Sequence, residues 1–336
     1  MTAPTIPAVP AAAIVRRSAA AAFALAAVLV LGACGDPSEG GTAEIAAASG
    51  DKTKINLSPD QNRVTTEKVA SIAAQVPERI RKRGTLEVVA SSTSAAPLGF
   101  FATDNKTVIG VEPDIASLVA DVLGLKLHIN TVSWENIFVG LDSAKYDVGF
   151  SNITVTEERK EKYDFATYRQ DNLGFEAKKG SGFEFTGNAA DLAGLTVAVS
   201  SGTNQEKLLV DWNEENEKAG REPIDIKYYQ TESDTYLALQ SGRVDVYLGP
   251  NPSAAYHAAT SGKTEVVGTY SGAGATLQGL IAATTKKDSG LAEPLADALD
   301  EVIDNGTYGK VLKRWGLSDE AVEKSEINPP GLPKTD

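Results

Sequence analysis

From residue 85 onward the apolar positions of this chain change period repeatedly, from short continuous runs to stretches with helical spacing. Residues 71–83 can form a helix leading to Gly84, and 85–90 (TLEVVA) make a β-rich run ending in the turn Ser91-Ser92-Thr93-Ser94. Residues 114–123 read as an amphipathic helix stopped by Gly124, 125–130 as a strand, 134–143 as a helix and 148–150 as a strand. Strands alternating with helices in this way predict an α/β fold of mostly parallel sheets flanked by helices.

The pattern also repeats. Residues 141–148 (LDSAKYDV) resemble 239–246 (LQSGRVDV) position for position, and 85–93 (TLEVVASST) parallel 195–203 (LTVAVSSGT). Two similar halves predict two similar lobes, both aiming strand C-termini at one crevice, where α/β sheets bind ligands. Residues 69–176 and the return segment 280–323 are assigned to lobe one and 177–279 to lobe two, with 324–336 as a C-terminal tail. Hinges are expected near 173–178 and 277–282, where the chain crosses between lobes.

The beginning of the chain has a different character. Arg16-Arg17 precede the apolar run 19–31, which is too short for a stable membrane span and leads into Leu31-Gly32-Ala33-Cys34. Residues 1–33 therefore read as a secretory signal, and the small residues before Cys34 match the bacterial lipoprotein pattern, in which that cysteine is acylated. Cys34 is the single cysteine, which points to anchoring rather than redox or metal chemistry. A buried thiol behind an ordinary cleaved signal is the alternative. Residues 34–68, rich in Gly, Ala, Ser, Asp and Lys, read as a flexible tether. Together these features predict a lipid-anchored protein on the outer face of the cytoplasmic membrane, exported by the general route or, with a poorer fit, by the twin-arginine one.

A net charge of −13 argues against nucleic acid as a partner. An acidic body gains nothing from anionic lipid either, so attachment must come from acyl chains. Hydrophobic residues make up 42% of the chain, enough for two lobes with cores of their own.

The most informative stretch is 146–168, YDVGFSNITVTEERKEKYDFATY. Residues 148–150 form the short strand, 151–155 a polar turn, and Thr156 the N-cap of a helix with Glu157 and Glu158 in its first turn. Arg159 falls where the helix macrodipole disfavours a cation, and its side chain should lean back over the Ser151 to Thr154 turn. A guanidinium there, with the hydroxyls of Ser151 and Thr154 and free helix amides beside it, is suited to grip a carboxylate. A surface pair between Arg159 and an acid of the same helix is the competing reading.

At these residues the chain resembles an extracytoplasmic solute-binding protein of the polar amino acid type (family 3), the receptor component of ABC importers. The resemblance spans residues 85–317 and implies a two-lobe, periplasmic-binding-protein-like (type II) fold with the ligand in the cleft. It matches Ser151, Thr154 and Arg159 to the family's carboxylate grip, and Gly202-Thr203-Asn204 to a second-lobe turn that meets the ligand from the other side. The helix-start motif appears as Gly110-Val111-Glu112-Pro113-Asp114, where Pro113 is a departure tolerable in a first turn. Trp134 matches one of two aromatics that sandwich the ligand, although a core or capping role would suit it equally. The other aromatic has no counterpart in Ser94-Ala95-Ala96-Pro97. Relatives also hold the ligand's ammonium group with an acid where this chain has Pro250, so Asn251 and Asp171 are the candidates to compensate, Asp171 being otherwise a solvated hinge residue.

The resemblance implies a monomer that binds a small carboxylate-bearing solute, closes its lobes on it and presents it to a membrane permease, with no cofactor. An enzyme is the rival class, because some dehydratases acting on cyclic carboxylates resemble the same fold; a sensor without transport is the third. Catalysis would need a placed acid or base. His128, in a strand, and His257, in an Ala-rich helix, both read as structural, and no Ser-His-Asp spacing, metal cluster or phosphate loop is visible.

Overall fold

The computed structural model describes residues 42–46, 52–91 and 94–334, which all belong to one compact unit beginning at Gly40. The signal-like segment, Cys34 and the Ser92-Thr93 part of the first turn lie outside the described residues. Among those described, no helix is long and apolar enough to cross a membrane.

The described residues begin with an antiparallel pair, β1 (Thr42–Ala46) and β2 (Lys52–Asn56), and continue through α1 (Ala70–Gln75), α2 (Glu78–Arg83) and β3 (Thr85–Ser91). A small hairpin of β4 (Phe100–Phe101) and β5 (Val108–Ile109) leads to α3 (Val111–Leu123), β6 (Lys126–Val132), α4 (Trp134–Asp142) and β7 (Val148–Gly149). The long β8 (Tyr163–Lys178) carries the chain onward to β9 (Thr196–Val199), α5 (Asn204–Lys218), β10 (Asp225–Tyr228), α6 (Glu232–Ser241), β11 (Val246–Pro250) and α7 (Asn251–Ser261). Then come β12 (Thr264–Ser271), β13 (Gly279–Lys286), α8 (Ala292–Asp304) and α9 (Thr307–Trp315).

Each lobe is built on three parallel strands in the same order, β6-β3-β7 in one and β10-β9-β11 in the other, and β8 joins both sheets. The N-terminal part of β8 pairs with β13, from Gly279 against Asp171 to Lys286 against Tyr163. Its C-terminal part pairs with β11 and β12, beginning at Leu173 and Asn172. The switch of sheets thus falls at Asp171 and Asn172, with the return between Ser271 and Gly279, slightly ahead of the positions read from the sequence. Each lobe keeps its own core, one around Ile115, Leu118, Leu299 and Trp315, the other around Phe175, Phe185, Trp212 and Leu248.

The sequence repeat has a physical cause. In lobe one the Asp147 carboxylate accepts the Glu87 amide at 2.9 Å while the Asp147 amide donates to the Glu87 carbonyl at 2.8 Å. In lobe two Asp245 makes the same two bonds with Thr196, at 2.9 and 2.8 Å. The aspartate of the repeated motif therefore staples the end of the helix-turn connection to the start of the first strand. The turn before it needs a left-handed residue, supplied by Ala144 (φ 54°) and by Gly242 (φ 73°).

Three expectations change. The helix read over 71–83 breaks in two, because Pro77 cannot donate an amide and Val76 before it is extended. The described part of the segment read as a tether contains the β1–β2 pair and is docked from β2 onward: Ile55 is buried in the lobe-one core, Arg63 pairs with Asp114 at 2.9 Å, and just beyond it the Val69 amide donates to Val122. The expected helix at Thr156 is a single 3-10 turn, Arg159–Glu161. Thr156 does cap it, its hydroxyl accepting the Arg159 amide at 3.1 Å. However, the Glu157 amide is spent on the Leu332 carbonyl, and a single 3-10 turn lacks the summed dipole of a full helix.

Candidate functional site

The strand ends of both lobes meet at a cavity with about 670 Å³ of empty volume, part of it open to solvent. Lobe one contributes Ser91, Ser94, Trp134 and Ser151; lobe two contributes Thr203, Asn204, Gln230, Glu232, Tyr247 and Pro250. Ser151 is buried, and its Oγ accepts the Ser91 amide at 2.8 Å, which ties the end of β3 to the turn after β7. Thr203 caps α5 by accepting the Glu206 amide at 3.2 Å, and donates to the Ser200 carbonyl at 2.7 Å.

Arg159 is not among the residues lining this cavity; it belongs to a second, wider one that shares Thr203 and Asn204 with the first. Gly202 and Leu332 line that second cavity as well. One guanidinium nitrogen donates to the Thr154 carbonyl at 2.9 Å, and the other reaches across to the Gly202 carbonyl of lobe two at 3.1 Å. Trp134 Nε1 donates to that same Gly202 oxygen at 3.2 Å. The guanidinium lies 5.4 Å from the Trp134 ring centre and 5.3 Å from that of Phe138, within cation–π range. Among the described residues it forms no ion pair; the first-turn acid Glu157 pairs with Lys160 instead, at 2.7 Å. Burial pulls Arg159 down to about 10, with Asp171 and Glu158 pulling the other way, so it remains a cation at neutral pH.

Thr154 and Asn204 do not face the first cavity as a pair of free ligands. Thr154 Oγ1 donates to Asp171 Oδ2 at 2.7 Å, and Asn204 Nδ2 donates to the same oxygen at 3.1 Å and to the Gly272 carbonyl at 3.0 Å. Asp171, read as a possible solvated hinge residue, is 1% exposed and lines neither cavity. Burial raises its pKa, and the bonds from Thr154 and Asn204 oppose that shift. It bridges Thr154 of lobe one and Asn204 of lobe two where β8 changes sheets. Asn251 begins α7 against the backbone of Gly174, and the cavity wall there is Pro250 and Gly249.

Glu232 was not singled out in the sequence, although a signal for it existed. Extending the repeat seven residues upstream from Leu141 and Leu239 sets Glu232 opposite Trp134. Each residue opens its helix, each follows a hydroxyl residue (Ser133 and Thr231), and each lines the cavity. Burial, and then the carboxylate of Glu176, push Glu232 up to about 8. Both histidines are held by carboxylates away from the cavity wall: His128 Nδ1 is 2.7 Å from Glu87 and His257 Nδ1 2.5 Å from Glu176.

The acids of the helix-start motif are anchors of the fold. Glu112 binds Arg169 at 3.1 Å, and Asp114 accepts Trp315 Nε1 at 2.8 Å. The C-terminal tail closes the back of the site: the Leu332 amide donates to Val155 at 3.2 Å, while its side chain packs into the lobe-two core.

A sequence profile of the bacterial extracellular solute-binding proteins, family 3, matches residues 88–318. The chain is 29% identical over 267 residues to the arginine-binding protein ArgT of Corynebacterium glutamicum, covering 79% of this chain and 85% of that protein. It is also 29% identical over 238 residues to the L-cystine-binding protein TcyJ of Escherichia coli K12, covering 70% of this chain and 84% of that one. The crystal structure of an ancestral amino acid-binding protein, a precursor of cyclohexadienyl dehydratase, superposes with a TM-score of 0.59 at 26% identity, over 71% of this chain and 97% of the other.

Proposed function

Because the chain belongs to family 3 of the bacterial extracellular solute-binding proteins, we propose that it is an extracytoplasmic receptor for a polar amino acid or close analogue, delivering it to an ABC permease. Acylation of Cys34 holds it at the membrane. The observation that carries the reading is the convergence of Trp134 Nε1 and Arg159 Nη2, both from lobe one, on the Gly202 oxygen of lobe two. Two donors, one of them charged, aimed at one oxygen across the cleft are what a carboxylate needs. The ligand carboxylate takes the place of that oxygen beside Ser151 and Thr203, and its contacts to both lobes favour the closed arrangement. Lobe motion turns about Asp171 and the 271–279 return, so 69–176 with 280–323 and 177–279 move as the two bodies. Relatives named for binding arginine and cystine support the class of ligand.

The test is a thermal-shift and calorimetric panel of amino acids and amine-free carboxylates on the full chain, purified in detergent. At least one carboxylate is expected to raise the melting temperature. Arg159→Ala is expected to weaken that ligand by about a hundredfold, in line with loss of one partner of a buried charged pair. A hit whose affinity survives the substitution would remove Arg159 from the site.

A second reading, a dehydratase on the same fold, draws on Glu232, a carboxyl on the cavity wall that is still largely protonated at neutral pH. Disappearance of a cyclic carboxylate such as prephenate on incubation with the full chain, stopped by Glu232→Gln, would favour it over transport.

A further inference from the structure

The C-terminal tail, which lies beyond the residues that the family profile matches, is fastened to one lobe and buried in the other. On lobe one the Thr167 amide donates to the Glu326 carbonyl at 3.1 Å, the Asn328 amide to the Phe165 carbonyl at 3.1 Å, and the Gly331 amide to Glu157 Oε1 at 2.9 Å. The Leu332 amide and carbonyl then bond Val155 and Glu157, at 3.2 and 2.9 Å. Gly331 permits this approach, since a Cβ there would stand 2.3 Å from the Val155 oxygen. The Leu332 side chain is spent elsewhere. It is 3% exposed and belongs to the apolar cluster of lobe two, with Leu208, Leu209 and Trp212. Leu332 also lines the second cavity with Gly202 and Asn204 of lobe two. Its backbone thus belongs to one body and its side chain to the other, through a contact separate from the two chain crossings at 171–172 and 271–279.

We propose that residues 326–332 form a latch that holds the two lobes together in the absence of ligand, with the Leu332 side chain as its bolt. Separating the lobes has to withdraw that side chain from lobe two and hydrate it, a cost that falls on the open arrangement alone. The same motion breaks the bonds from Trp134 and Arg159 to the Gly202 oxygen. Water can replace those partners, whereas it gives a bared leucine nothing in return. A ligand that meets a chain already favouring closure loses less of its intrinsic affinity to the conformational change. The latch goes beyond the receptor reading and acts on lobe motion whatever solute is bound.

Trp134 supplies a probe that needs no ligand. It is half-buried at the cleft and bonded to Gly202 of lobe two, while the other two tryptophans, Trp212 and Trp315, are 6% and 0% exposed. Acrylamide quenching of the full chain in detergent, without added solute, therefore reads the separation of the lobes. Leu332→Ala is expected to move the ratio of open to closed chains by about tenfold or more, the weight of one leucine side chain no longer bared on opening. The rise appears as a larger quenching constant and a red-shifted emission. Gly331→Ala keeps the leucine but drives the tail off Val155, and is expected to raise quenching as well. Leu209→Ala removes the same apolar group from within lobe two, and should lower the melting temperature while leaving quenching as in the native chain. Native quenching in either tail variant, or an equal rise in Leu209→Ala, overturns the latch. Both of those outcomes leave the receptor reading in place, because no ligand enters the measurement.

Discussion

Replacing Arg169 by methionine is expected to cost about 3–5 kcal/mol of folding stability, the range for removing one partner of a buried ion pair. Arg169 is 1% exposed, and its guanidinium contacts Glu112 at 3.1 Å, Glu320, and the side-chain oxygen of Asn152. Burial opposes its charge, but Glu320 and Glu112 more than offset that and raise its pKa. Burial also pushes the Glu320 carboxyl up, and the Arg169 guanidinium opposes that shift. Methionine would leave those acids in the core with no counter-charge. Asn152, held at φ 51° and lining the cavity, would lose its anchor as well. Urea unfolding of the full chain measures the loss. A drop below about 1 kcal/mol would mean that water reaches the cluster and supplies what the arginine does. Adding Glu112→Gln and Glu320→Gln to Arg169→Met should recover part of the stability, because the uncompensated charges are then gone.

Gly272→Ala carries the second large effect, and it acts on closure. A Cβ at Gly272 would stand 1.8 Å from Asp171 Oδ2 and 3.0 Å from Asn204 Nδ2. The carboxylate would have to swing away, which breaks both the Thr154 and the Asn204 bonds that bridge the lobes. Two buried hydrogen bonds to a carboxylate put the cost at about 2–4 kcal/mol. Thermal melting should drop accordingly, and small-angle scattering should show a wider separation of the lobes with weaker response to ligand. A cycle with Asp171→Ala makes the cause visible. If the collision is the source, the double variant should be no less stable than Asp171→Ala alone. Additive losses would place the effect in the backbone of the return segment instead.

Much of the architecture could be read from the amino-acid order because it is local or repeats. The strand and helix periods mark β3, α3, β6 and α4, and the shared LDSAKYDV and LQSGRVDV segments foretell two lobes of one topology. Those segments encode a short-range staple, an aspartate bonding the first strand of its own βα unit, and so leave a trace in composition. The direction of Arg159 was legible in part: it leans over the Thr154 turn as expected, though from a single 3-10 turn that lacks the summed dipole of a full helix.

What the order of residues left open depends on segments far apart in the chain. Asp171 looks like a polar hinge residue until Thr154 and Asn204 arrive from opposite lobes, 17 positions before and 33 after, to bond one of its oxygens. Residues 52–68 look like part of a tether until Asp114 and the lobe-one core receive Arg63 and Ile55. Glu232 looks like an ordinary first-turn acid until the folded chain sets it on the cavity wall. Local chemistry sets which elements form and which half repeats. Burial and the pairing of groups on different lobes are properties of the folded chain, and they decide which acids are anchors and which stand open to a ligand.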